Sequence, residues 1–82
     1  MSGPGGAGDE GQRERLMTVV HVRALPNCTE VMFVESARFF RLQRGTPGYA
    51  EAQRKLQRAA GSGHPIRVRL DQPNGEIIER VD

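Results

Sequence analysis

Along residues 16–25, LMTVVHVRAL, Thr18, Val20, Val22 and Ala24 fall on one face and Val19, His21 and Arg23 on the other. This period of two predicts a β-strand, ended by Pro26-Asn27. Residues 30–42, EVMFVESARFFRL, continue the β-rich pattern, but Glu35-Ser36 interrupts the alternation. The run therefore divides into two strands, or bends sharply at that pair. Adjacent strand residues point to opposite faces, so only one of Phe39 and Phe40 belongs fully to a core. Helical spacing follows: Tyr49, Ala52, Leu56, Ala59 and Ala60 form an apolar stripe, with Glu51, Arg54, Lys55 and Arg58 outside it. Thr46 stands where a cap belongs, Pro47 suits the first helical position and Gly61 sits where the helix should stop. Residues 64–81, HPIRVRLDQPNGEIIERV, supply two final strands around Asn74-Gly75, a hairpin dipeptide.

The order strand, strand, strand, helix, strand, strand defines an α+β, mainly β domain. It predicts a small five-stranded barrel of the oligonucleotide/oligosaccharide-binding (OB) type, with one helix between strands 3 and 4. An open antiparallel sheet with one helix on a face is the alternative. From Phe39 to Val81 the chain resembles small uncharacterised bacterial OB-fold-like barrel proteins. The resemblance rests on an aromatic strand end, TPGYAEAQRKLQRA, PIRVRL and GEIIERV. It covers about half of the chain and implies a fold, with no activity attached.

Composition sets the limits of that domain. Residues 1–15, MSGPGGAGDEGQRER, hold no apolar residue beyond Met1 and Ala7, too little to offset the entropy of ordering. They are expected to form a flexible tail, leaving residues 16–82 as a single small β-rich domain, and Met17 stands as an alternative start. A core of that size rarely supplies more than about 3–5 kcal/mol of net stability, so a small monomer would be marginal without a partner. Cys28 is the only cysteine, which excludes a disulfide within the chain and argues for a reducing compartment. No signal-peptide pattern and no apolar run of membrane-spanning length is present, so the expectation is a cytoplasmic protein that does not engage a membrane.

The formal net charge is +2, and Lys55 is the sole lysine among twelve basic residues. Arginine suits phosphate, carboxylate and aromatic faces, although a GC-rich genome also writes arginine freely. Catalysis needs a nucleophile, a base and an orienting group, or a set of metal ligands. His21, His64 and Cys28 are scattered along the sequence without ligand spacing, so no catalytic residue, metal or cofactor is expected. Asn27-Cys28-Thr29 matches a glycosylation sequon but reads as a turn in an unexported chain. Arg44 lies beside the helix start, where exposed amides can hold an anion, yet a capped helix start explains RGTPGYAE as well.

One constellation stands out. Arg67 and Arg69 share the face opposite Ile66, Val68 and Leu70, while Arg38 and Arg41 flank Phe39 and Phe40. These six (Arg38, Phe39, Phe40, Arg41, Arg67 and Arg69) are the candidate binding face. The leading expectation is a non-enzymatic module that self-associates or docks on another protein through a strand edge or the exposed aromatic. The alternative is a single-stranded nucleic-acid module using arginines of strands 3 and 4, and the third is an enzyme whose site is shared across an oligomer interface. Against nucleic acid, Arg67 and Arg69 are expected to pair across the hairpin with Glu76 or Glu79.

Overall fold

A computed structural model describes residues 13–82. Six strands and one helix follow in order: β1 (Glu14–Met17), β2 (Val19–Ala24), β3 (Cys28–Phe33), β4 (Phe39–Gln43), α1 (Tyr49–Ser62), β5 (Ile66–Leu70) and β6 (Ile78–Val81). They build two three-stranded antiparallel sheets, ordered β1-β5-β6 and β2-β3-β4. The domain is mainly β with one helix among the described residues. Its sheets do not form a closed barrel, and six strands replace the five expected from the sequence.

The extra strand arises at Thr18. The run from residue 16 reads as one strand, but β1 pairs with β5 while β2 pairs with β3. A chain that leaves one ladder for another must satisfy its backbone groups at the crossing point. Thr18 N–H donates to Glu35 Oε1 at 2.8 Å, and its carbonyl accepts from Val34 N–H at 2.9 Å. Just beyond, a bulge between Val19 and His21 resets the alternation. Val19 consequently faces the core while Val20 is exposed, which a strict period of two cannot anticipate.

The tail expected over residues 1–15 lies outside the described residues as far as position 12. Glu14 and Arg15 belong to β1, and Met17 is buried at its end.

The core gathers Met17, Val19, Val31, Phe33, Phe40, Leu42, Val68, Leu70, Ile78 and Val81 from the strands, with Ala52, Leu56 and Ala59 from α1. Phe33 and Phe40 meet edge to face at 5.2 Å and 73°, a geometry worth about 0.5–1.5 kcal/mol beyond area burial. Thr29 is fully buried, and its Oγ1 lies 2.8 Å from the Tyr49 hydroxyl, which ties β3 to α1. The sheets are joined by a parallel bridge between Arg41 and Ile77, with Arg41 N–H donating to Glu76 O at 2.8 Å.

Two turns differ from their sequence reading for definable reasons. Pro47-Gly48 occupies the centre of a turn in which Tyr49 N–H donates to Thr46 O. Gly48 has φ 75° and ψ 19°, the left-handed geometry a type II turn requires after proline. The helix therefore begins at Tyr49 with no side-chain cap from Thr46, and ends at Gly63, φ 76°, two residues past Gly61. The β5–β6 connection is longer than an Asn-Gly hairpin, because Pro73-Asn74 takes the centre of a turn closed by Gly75 N–H to Gln72 O. A Cβ at Gly75 would meet the Asp71 and Gln72 side chains, which would have to shift to admit it. No helix of the described residues is long and apolar enough to cross a membrane.

Candidate functional site

The outer faces of the two sheets carry the exposed chemistry. On β2-β3-β4, register puts His21, Met32 and Phe39 in one row across the strands, and Arg23, Glu30 and Arg41 in the next. The bulge adds Val20 beside His21, opposite Met32. Val34 follows β3 in the phase of Glu30 and Met32 and is 67% exposed; Phe39 is 49% exposed, whereas Phe40 is 1% exposed. Phe39 is thus the outward member of the pair and Phe40 the core member. Met32 is half-buried between its row neighbours. The result is an apolar strip of Val20, Met32, Val34 and Phe39.

Charged groups border this strip. Arg38 donates to Asn74 O at 3.1 Å, pairs with Glu76 at 3.5 Å, and lies 5.4 Å from the centre of the Phe40 ring. Arg41 reaches the other oxygen of Glu76 at 4.0 Å. Arg38, Phe39 and Arg41 line a shallow open cleft with Glu30, Ala37 and Glu76. At the far end of β3, the Glu35 carboxylate receives Thr18 N–H and Thr18 Oγ1–H, each at 2.8 Å. The backbone N–H of Thr18 is the main cause that holds the Glu35 pKa below its ordinary value.

The outer face of β1-β5-β6 is an ionic lattice. Arg69 bonds Glu79 at 3.1 Å and Glu14 at 3.3 Å; Arg80 reaches Glu14 at 3.4 Å and Asp82 at 3.3 Å; Arg13 reaches Glu79 at 3.7 Å. The expected pairing of Arg69 with Glu79 is present. Arg67 pairs with neither Glu76 nor Glu79; it sits across from the exposed Leu16 on β1. Glu76 serves Arg38 and Arg41 instead.

The six candidate residues therefore do not form one face. Arg38, Phe39 and Arg41 stay together at β4, Phe40 is inside, and Arg67 and Arg69 lie on the other sheet. β4 and β5, consecutive strands in sequence, are not neighbours in space, because the α1 crossover carries the chain from one sheet to the other. His21 and Cys28 lie on separate rows of the outer face, and His64 is exposed before Pro65. Among the described residues no group of His, Cys, Asp or Glu has the geometry to hold a metal ion. Arg44, weighed as an anion holder, is exposed; its backbone N–H donates to Asn27 O at 3.2 Å.

Sequence reasoning missed Val20, Arg23, Met32 and Val34 as members of a face. Val34 was recoverable, since it keeps phase with Glu30 and Met32, but Val20 depends on a bulge that leaves no residue signature. Comparisons with protein-family models, curated proteins and solved structures give no match to this chain.

Proposed function

We propose that the chain is a small non-enzymatic interaction module that docks on protein through the outer face of β2-β3-β4. The observation that carries this reading is the strip of Val20, Met32, Val34 and Phe39, apolar and rimmed by charge. Single exposed hydrophobics need no explanation, whereas a contiguous set with a polar rim marks an interaction surface. Docking by strand addition has less support: the β4 edge already donates Arg41 N–H to Glu76 O, and the bulge in β2 blunts the other edge. A single thiol fits the extension of this reading to a cytoplasmic protein.

The fold reading that accompanies it is an open OB-like barrel. Thr18 alone separates β1 from β2, so the two count as one bent strand shared by both sheets, with α1 between the third and fourth strands of the resulting five. The parallel bridge from Arg41 to Ile77 supports a partial pairing of β4 with β6. In partly open barrels of this type, ligands lie across the second and third strands, here β3 and β4. Met32 and Phe39 stand on that face.

Single-stranded nucleic acid is the second reading, favoured by Arg23 and Arg41 beside Phe39. It has weaker support because such sites stack successive bases on several rings. Phe33 and Phe40 are buried and the Tyr49 hydroxyl is engaged with Thr29, so Phe39 is the one phenyl ring on this face, with only the smaller His21 imidazole in its row. The test is a photo-activatable residue placed at position 39, with position 67 on the other sheet as control, in cells that express the chain. Protein adducts from 39 and few from 67 are expected. Nucleic-acid adducts from 39, or equal adducts from both positions, would overturn the reading.

A further inference from the structure

We infer that the partner on this face is a second copy of the chain, related by a two-fold axis that runs across the strands along the His21, Met32 and Phe39 row. This inference rests on the docking reading above and names its occupant. The argument comes from how charge is laid out along β3. The row of Arg23, Glu30 and Arg41 lies to one side of the apolar strip, two residues or about 7 Å from it. Glu35 lies beyond the other side, past Val34, held by Thr18 at the start of β2. The face therefore runs from a row of two arginines around Glu30, through apolar, to the Glu35 carboxylate.

A face with that polarity is complementary to itself in one orientation. Two sheets that meet face to face through a two-fold must have the axis in the plane of contact. With the axis across the strands, the direction along β3 is reversed and the position across the sheet is kept. The Val20, Met32 and Phe39 row then meets itself, Val34 of one copy lies over Glu30 of the other, and Arg23 stands opposite Glu35, which is held at Thr18. Arg23 has no ion pair of its own among the described residues, whereas Arg38 and Arg41 share Glu76. With the axis along the strands instead, β2 would lie on the partner's β4, and Arg23 would face Arg41. Like charges so placed disfavour that arrangement. A small core adds a reason for a second copy, since association buries apolar area that the monomer leaves exposed.

Sedimentation of the full chain tests this through a charge swap. The wild-type chain is expected to form a dimer at high micromolar concentration. Glu35→Arg and Arg23→Glu are each expected to weaken it at least tenfold, since each alone sets like charges opposite one another. An equimolar mixture of the two variants is expected to dimerise again, as is a chain carrying both changes. The doubly changed chain also controls for folding, because it lacks the Thr18 contact to the Glu35 carboxylate yet should regain the dimer. A wild-type monomer, or a dimer indifferent to both single changes, would overturn the inference. Either result would leave the docking reading to stand on protein adducts from position 39 to a different partner, so the two failures are distinguishable.

Discussion

On the outer face of β1-β5-β6, Arg69 holds Glu14 and Glu79 while Arg80 holds Glu14 and Asp82, so charge is answered by charge across all three strands. On the outer face of β2-β3-β4, Arg23 and Glu30 face each other in register without an ion pair, and the next row is Met32 and Phe39. Both sheets are antiparallel and three-stranded, and both send their inner faces to the same core. What separates them, among the described residues, is how far the outer charges are paired within the molecule: Arg67, across from the exposed Leu16, is the exception on β1-β5-β6, whereas Arg23 and Glu30 are both unpaired on β2-β3-β4. A face that satisfies itself is built for solvent. One that leaves an apolar strip beside the unpaired Arg23 and Glu30 has side chains to offer a partner, and the docking role proposed for β2-β3-β4 rests on that difference.

The comparison breaks most visibly at the two adjacent phenylalanines, which belong to the same sheet and opposite environments. Phe40→Ala removes a fully buried ring that packs edge to face on Phe33, and such truncations cost about 3–5 kcal/mol. That is the whole net stability expected of a domain this small, so the variant should be largely unfolded at room temperature. Phe39→Ala should stay within about 1 kcal/mol of wild type, because half of that ring is already in water. Urea unfolding of both variants checks this. Equal losses would mean that Phe39 is structural and that the face is not held ready for a partner.

A smaller effect sharpens the account of the ionic sheet. Arg69→Ala removes two ion pairs from the centre of the lattice, each worth roughly 0.2–1 kcal/mol at a surface, so a loss of about 1 kcal/mol is expected. The loss should shrink in high salt, since exposed pairs are screened. Arg67→Ala, on the same strand and face but without an ion pair among the described residues, should change stability by less than about 0.5 kcal/mol. Thermal melts at low and high salt distinguish the two. A larger loss for Arg67 would assign it a structural role that no contact explains.

Much of this arrangement is legible in the residues. The helix stripe of Ala52, Leu56 and Ala59, the break at Glu35-Ser36, the outward arginines of β5 and the Arg69–Glu79 pair all follow from period and charge. What is not legible is which sheet each strand joins. Alternation fixes the two faces of a strand but not its neighbours, so Arg38 and Arg41 could be grouped with Arg67 and Arg69 on pattern alone. The Val20 bulge and the departure at Thr18 are set by tertiary pairing, and Thr18 and Val19 look like ordinary strand residues. At TPGY two signals compete: proline and glycine each suit a helix end or a type II turn, and the turn wins because Gly48 alone can hold φ 75° there.

The smallest expected effect concerns the point where the two sheets part. Glu35 accepts two hydrogen bonds from Thr18, the residue between β1 and β2, and the backbone N–H of Thr18 is the main reason its pKa lies below the ordinary value of 4.5. A carboxyl group with a depressed folded pKa stabilises the fold fully above its unfolded pKa and loses that contribution as pH falls through the folded one. The contribution is therefore complete above about pH 5 and declines below pH 4.5. Because the group is largely exposed, water screens it and the amplitude is modest. Glu35→Gln keeps an acceptor for Thr18 but cannot ionise, so its stability should vary less with pH over the acid range than that of wild type. Denaturant midpoints at pH 7 and at mildly acid pH, measured for both chains at low protein concentration to keep association out of the comparison, check this. If the two curves run parallel, the Thr18–Glu35 contact does not stabilise the junction, and the split of the first strand must be held by Val34 N–H to Thr18 O and by the core on either side.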